Sequence, residues 1–485
     1  MRRLAVVLSL LLSTSAFAQT HFSDDVKRFI SVDAPTFALT HVRVIDGTGA
    51  AALTDQTIVV ANGRIQKVGP AASVAIPAGA TVMDKTGYTV IPGLVGLHNH
   101  LFYILSRARS ESGGLVAPGF FINEIPFTAP RLYLAAGVTT MRTAGSLEPF
   151  TDVNVKDDIE MGAMAGPKLD LTAPYLEGHP GGATFPQMHE LSGTEDARQF
   201  VDFWADRGFT SFKAYMHIKA ADLKAAIDEA HKRGFKLTGH LCSIGYKQAA
   251  ELGIDDLEHG FVVDSDFAKS KQPDVCPSQK DIFDGLMSTD PMGPEAQALF
   301  QTLIAHHVAV TSTLPVFESG FGLNPLQERV LNAMSTESKV NYLEARGRIP
   351  AASITANEAR LRKIEQMEVA FVRAGGLLLA GPDPTGNGGT LPGFGDQREV
   401  ELLVQSGFSP VEAIHIATAN GAQYLGVLDK TGTVSAGKAA DLVLIHGDPA
   451  ARIDDIEKVE TVFKDGIGYD SAKLIDSVRG LVGIR

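Results

Sequence analysis

Residues 90–100 read VIPGLVGLHNH, an apolar run that closes on His98-Asn99-His100. Two histidines at i and i+2 on an extended strand project from the same face, so both imidazoles stand side by side at the strand end. An H-x-H alone is a weak signal. Its weight depends on what closes the other apolar bursts of the chain.

Seven further bursts follow, around 137–144, 168–176, 210–216, 236–241, 256–261, 308–314 and 377–381. Helix-like stretches separate most of them, such as AADLKAAIDEAHKRG (220–234) before the fifth and NEARLRKIEQMEVAFVRAGG (357–376) before the eighth. Eight strand–helix units over about 300 residues fit an α/β fold of (β/α)8 type, a TIM-type barrel, better than a doubly wound sheet of five or six strands. Catalytic side chains of such a barrel gather at the C-terminal ends of its strands. The segments 264–298 and 318–354 exceed ordinary connections and read as lids or substrate walls.

Outside the barrel, at residues 36–90, short apolar bursts alternate with Gly, Asp and Asn, and Asn62-Gly63 marks a tight turn, the pattern of antiparallel strands. The same texture returns in GTVSAGKAADLVLIHGDP (432–449) and VETVFKDGIGY (459–469). The two ends therefore read as one small composite β-sandwich, its N-terminal portion at 36–90 and its C-terminal portion at 428–475, with the barrel between them at 91–427. The chain opens with Met1-Arg2-Arg3, an apolar run from Leu4 to Leu12, and Ala16-Phe17-Ala18. This is the form of a secretory signal peptide, residues 1–18, cleaved after Ala18. Its apolar run is too short to span a bilayer, so a periplasmic or secreted protein without membrane insertion is expected.

The 485 residues are 45% hydrophobic and carry 43 Lys+Arg against 56 Asp+Glu, a net charge of −13. That composition supports a large core and disfavours broad nucleic-acid binding, which needs a basic face. Two cysteines, Cys242 and Cys276, cannot build a disulfide framework for this length. One bridge between them stays open, with two partly buried thiols as the default expectation.

His240 closes the fifth strand in KLTGHL, His259 the sixth in DLEHGF, and Asp383 follows the eighth in LLLAGPDPTG. With His98 and His100 they share one barrel rim, a donor set suited to divalent metal. Lys213, in SFKAYMH on the fourth strand, is no ligand while protonated. Reaction with carbon dioxide would make it an anionic carbamate able to bridge two cations. His179, in YLEGHPGG after the third strand, can hold an oxyanion or orient substrate. Tyr103 and Tyr215 can donate to a substrate carbonyl, and Arg142 can receive a substrate carboxylate or serve in a buried ion pair. A phosphate loop at 381–386 fails because Asn387 stands where lysine is required, and neither G-x-S-x-G nor H-E-x-x-H occurs.

The set His98-x-His100, Lys213, His240, His259 and Asp383 resembles the amidohydrolase superfamily in its binuclear, carboxylated-lysine form. SFKAYMH, DDLEHGF and LPGFGDQREVELLVQSGFSPVEAIHIATANGAQYLG (391–426) are most similar to its imidazolonepropionase-like and Xaa-Pro dipeptidase-like branch. The resemblance implies two divalent ions of zinc type, one on His98, His100 and Asp383, the other on His240 and His259, bridged by carboxylated Lys213 and a hydroxide. It implies a small-molecule amide substrate, dipeptide-like or N-acyl amino acid, with Asp383 passing a proton to the leaving amine. An ester, lactone or cyclic amide is the alternative substrate on the same barrel. Homo-oligomers are common in the superfamily. AGPDPTG departs from the superfamily's commoner Gly-Thr-Asp at this place, because Pro382 removes a backbone donor before Asp383.

Overall fold

A computed structural model describes residues 21–106, 120–178 and 188–484. The expected signal peptide lies outside these residues, as does His179. Eight parallel strands form the barrel. The first four are Leu94–Asn99, Val138–Thr143, Lys168–Asp170 continued by Thr172–Gly178, and Ser211–Ala214; the others are Lys236–Gly239, Asp256–Glu258, Ala309–Ser312 and Leu378–Ala380. Each pairs in parallel with the next in chain order. The ring closes where the backbone N–H of Asp383 donates to the His98 carbonyl at 3.0 Å. Gly381 permits that approach, because a Cβ there would stand 2.4 Å from the His98 nitrogen.

All six residues of Leu94–Asn99 are buried, as expected for a strand covered on both faces. The outer helices are amphipathic at the period the sequence shows. In Ala220–Lys232, Leu223, Ala226, Ile227 and Ala230 face inward, and in Ile354–Arg373 the buried stripe is Leu361, Ile364, Met367 and Phe371. Gly234 and Gly375 adopt positive φ just beyond these two helices, where a left-handed residue ends a helix without the clash a Cβ brings.

The chain ends join in one sheet of nine strands: Ile30–Val32, Thr36–Val44, Leu53–Ala61, Arg64–Pro70, Thr81–Asp84, Tyr88–Pro92, Leu442–His446, Val459–Lys464 and Ile467–Asp470. The composite origin agrees with the expectation from sequence, but the strands are not all antiparallel. Thr36–Val44 runs parallel to Thr81–Asp84 and to Tyr88–Pro92. The 71–80 connection returns the chain in the same direction, which a hairpin reading cannot anticipate. The sheet is curled, since Phe37 and Phe463 stack at 4.9 Å although other strands separate theirs in the sheet order. Val42, Ile58, Val90, Leu442 and Leu444 share that enclosed core.

Cys242 and Cys276 form a disulfide, in place of the two thiols that sequence alone favours. Sequence spacing could not decide this, because the 264–298 segment folds back and brings the two Cα atoms to 4.8 Å. That segment contributes helix Gln279–Ser288 and the start of helix Pro294–Ala305. Among the described residues no helix is long and apolar enough to cross a membrane.

Candidate metal centre

Strand alternation decides which side chains meet at the rim. His98 and His100 stand at the end of the first barrel strand, and past the bend at Leu101 the Phe102 ring stacks on His100 at 4.3 Å. His98 Nε2 lies 3.3 Å from Lys213 Nζ and 3.7 Å from Asp383 Oδ1, and His100 Nε2 lies 3.3 Å from the same oxygen. The His259 ring sits 4.6 Å from His98 and 4.4 Å from His240. His98, His259 and Asp383 offer donor atoms within 4.8 Å of one another. All six residues expected from sequence thus meet in one cluster, and all but His240 are buried. The tightest trio joins residues that the resemblance divides between two ions.

Electrostatics suit a cation. Burial, then Lys213, holds His98 and His240 below the ordinary imidazole range, His240 at about 3. His259 is lowered by burial and by the His240 and His98 rings beside it. The imidazoles are therefore neutral, the form that donates a lone pair. Burial also lowers the Lys213 ammonium, against the pull of Glu258 and Asp383. Burial alone would raise Asp383, but His98, His100 and Lys213 prevail and keep it a carboxylate. His100 Nδ1 is buried with no hydrogen-bond partner among the described residues. Neutral imidazoles and one carboxylate fit divalent metal. Both His259 (φ 71°) and Asp383 (φ 46°) adopt the left-handed region, strain that persists where surrounding contacts impose it and that concentrates at functional sites.

A second layer, which the sequence reading missed, orients these ligands. Glu258 Oε2 accepts from His98 Nδ1 at 2.6 Å, and Thr313 Oγ1 lies 2.9 Å from His259 Nδ1. With Nδ1 engaged by Glu258, His98 has Nε2 left to hold a metal. Glu258 Oε1 accepts from Arg142 Nη2 at 2.9 Å and Thr238 Oγ1 at 2.8 Å. Glu258 stands next to a ligand in DLEHGF, and strand alternation turns it into the barrel interior; that acid preceding the histidine was the available signal.

Arg142 is not a substrate-carboxylate receiver. It is fully buried and bound to Asp256 Oδ2 at 2.8 Å, to Glu258 and to the Leu97 carbonyl, so it has no path to a ligand. Burial pushes Asp256 up to about 6, and Arg142 restrains the rise. Tyr103 is corrected too. It alternates away from Phe102, and its hydroxyl donates to the Gly388 carbonyl at 3.2 Å. Tyr215 stays beside the cluster, its ring 4.9 Å from His240 and 5.1 Å from Tyr175.

A cavity of about 190 Å³ opens beside His240, His259 and Asp383, walled by Met216, Phe283 and Phe317 among others. Gln279, Ile282 and Phe283 of helix Gln279–Ser288 line it together with Val316 and Phe317 of helix Leu314–Gly320, so the 264–298 excursion stands at the site, while no described lining residue belongs to 318–354.

A barrel with this rim and a sheet from both chain ends defines a protein class, and the chain belongs to the Amidohydrolase family, whose profile matches residues 89–467. It is 25% identical over 412 residues to the imidazolonepropionase of Deinococcus radiodurans, spanning 81% of this chain and 86% of that one. It is 30% identical over 180 residues to the dihydroorotase of Leifsonia xyli, 36% of this chain. That match spans only 34% of the dihydroorotase, and a match to an enamidase of Eubacterium barkeri spans 49% of the enamidase. Among solved structures, a candidate prolidase from Bifidobacterium longum superposes with a TM-score of 0.62 at 26% identity, covering 91% of this chain and 98% of that one.

Proposed function

We propose that this protein is an exported, metal-dependent amidohydrolase that cleaves the C–N bond of a small dipeptide-like or N-acyl amino acid substrate. The observation that carries the reading is the junction of His98, His259 and Asp383 beside a cavity, with Lys213 Nζ at 3.3 Å from His98. His98, His100, His240, His259 and Asp383 would hold two divalent cations of zinc type, which when bound would supply Lewis acidity and a nucleophile at neutral pH. Lys213, whose ammonium burial lowers, is the residue that takes up carbon dioxide: once its nitrogen is deprotonated it forms a bond to the carbon and releases a proton, leaving an anionic carbamate. Asp383, ionised at neutral pH, accepts a proton on its carboxylate and delivers it to the leaving amine nitrogen. The barrel interior beneath excludes water and fixes the imidazoles through Glu258 and Thr313. Relatives of prolidase and imidazolonepropionase type support amide chemistry. Residues 1–18 and a disulfide support an oxidising, exported setting.

The test is hydrolysis of dipeptides and N-acyl amino acids, with esters, lactones and cyclic amides alongside, before and after chelation. Chelator-sensitive release of amino acids is expected, and turnover confined to esters or lactones would refute the amide reading. Asp383→Asn should lower kcat by at least about a hundredfold with circular dichroism unchanged.

A further inference from the structure

We propose that helix Gln279–Ser288, fastened to the barrel rim by the Cys242–Cys276 disulfide, is the specificity element of this site and selects substrates bearing a neutral aromatic or branched aliphatic group. The inference rests on the hydrolase reading above for the reaction, and on the cavity alone for the selection.

Apart from the metal-centre residues His240, His259 and Asp383, the described cavity lining is apolar or neutral, with Met216, Val262, Ile282, Phe283 and Phe317 prominent. An apolar cavity of about 150 Å³ in another protein stays dry and binds benzene, so about 190 Å³ admits a ring-sized group. Away from Asp383, a charged side chain placed there would lose its hydration without an opposite charge to replace it. On the other flank of the cluster Phe102, Ile104, Tyr175 and Tyr215 pack together, so the rim is apolar there too.

The wall is held in place. Ser278 Oγ accepts from the Asp281 N–H and caps the helix. A Cβ at Gly285 would meet the Phe267 carbonyl at 2.3 Å, so this glycine lets the helix lie directly on the 267–268 backbone. Cys242, just beyond the fifth strand, lines the cavity and clusters with Ile282 and Cys276. Phe283 is backed by Phe321 at 6.3 Å and by the Arg360 guanidinium at 5.5 Å, while Phe317 meets the His259 ring edge-on at 6.0 Å. A wall fixed at both ends and from behind discriminates by shape, because a mismatched group cannot displace it cheaply.

Two ketones that cannot be hydrolysed test the selection: 4-phenyl-2-butanone and 4-hydroxy-2-butanone, which differ by phenyl against hydroxyl. Calorimetric titration of the zinc-loaded full chain should show the phenyl ketone binding at least about tenfold tighter. Phe283→Ala should cut that preference about tenfold with zinc content at the wild-type level, and Phe283→Leu should retain most of it. The Cys242→Ser/Cys276→Ser double variant should lose preference in the same direction; if it does not fold, Phe283→Ala decides alone. Equal affinity for the two ketones, or a preference unmoved by Phe283→Ala, overturns the proposal. In parallel, Ala-X and X-Ala dipeptides with X as Gly, Asp, Lys, Leu or Phe report the reaction. Turnover favouring Leu or Phe over Asp and Lys by at least about tenfold in one series is expected. Absence of chelator-sensitive turnover in both would sink the hydrolase reading while leaving the ketone result to judge the wall.

Discussion

Replacing Glu258 by Gln tests whether the buried acid beneath the rim sets metal affinity. Its two oxygens have different duties: Oε2 accepts from His98 Nδ1 at 2.6 Å, and Oε1 accepts from Arg142 and Thr238. A glutamine has one acceptor oxygen and one NH2 donor, so it cannot serve both sides. If its oxygen faces Arg142 and Thr238, its NH2 faces His98 Nδ1, which must then become an acceptor. The imidazole proton moves to Nε2 and blocks the atom that would hold a metal. The reverse orientation puts an NH2 against two donors at a site with no solvent access. Loss of such an outer partner commonly weakens metal affinity roughly 10- to 100-fold, about 1.4 to 2.7 kcal/mol. The assay is competition with a chelator of known zinc affinity, read by metal content, with thermal melting of the metal-free protein as a fold control. Arg142 keeps Asp256 in the variant, so melting should fall modestly. Wild-type zinc affinity in Glu258→Gln would refute the reasoning.

Other outcomes follow from the same geometry. Arg142→Met leaves Asp256 and Glu258 buried without their cation and should cost about 3 to 5 kcal/mol in chemical denaturation, where a loss under about 1 kcal/mol would show that the ion triad is dispensable. Reducing the disulfide, which closes a loop over 34 positions, should destabilise the segment it encloses by up to about 4 kcal/mol in the chain-entropy limit, visible as faster proteolysis within 243–275. Glu368 sits buried against Ser312 and is pushed up to about 8 by burial. The folded protein keeps that proton to about pH 8 while the unfolded chain releases it near 4.5, so the native state binds more protons in between and stability falls as pH rises. The slope for this one group is at most about 1.4 kcal/mol per pH unit. Glu368→Gln should flatten the fall between about pH 5 and 8, and an unchanged profile would exclude the group as its source.

The cluster of candidate ligands was legible because barrel chemistry is written at strand ends. Each of His98, His240 and His259 closes an apolar burst, and a rim is the one place where such ends converge. The same logic failed for Arg142 and Tyr103. Both stand near strand ends, but a long side chain can turn inward to buried acids, and alternation within Phe102–Ser106 turns Tyr103 away from the side of Phe102, which stacks on His100. Glu258 escaped for a related reason: a charge on a strand reads as surface until another strand supplies Arg142.

Local order fixes what repeats along the chain. Apolar bursts, helical stripes and histidines at burst ends were sufficient for the barrel, the family and the candidate metal cluster, since these follow from backbone periodicity and side-chain chemistry. The pairing of Cys242 with Cys276, the parallel strands inside the terminal sheet, the ion triad under His98 and the apolar wall of helix Gln279–Ser288 were decided only in three dimensions. Each depends on two segments remote in sequence meeting at van der Waals distance, and the geometry of that meeting is set by packing of the whole domain rather than by any local pattern.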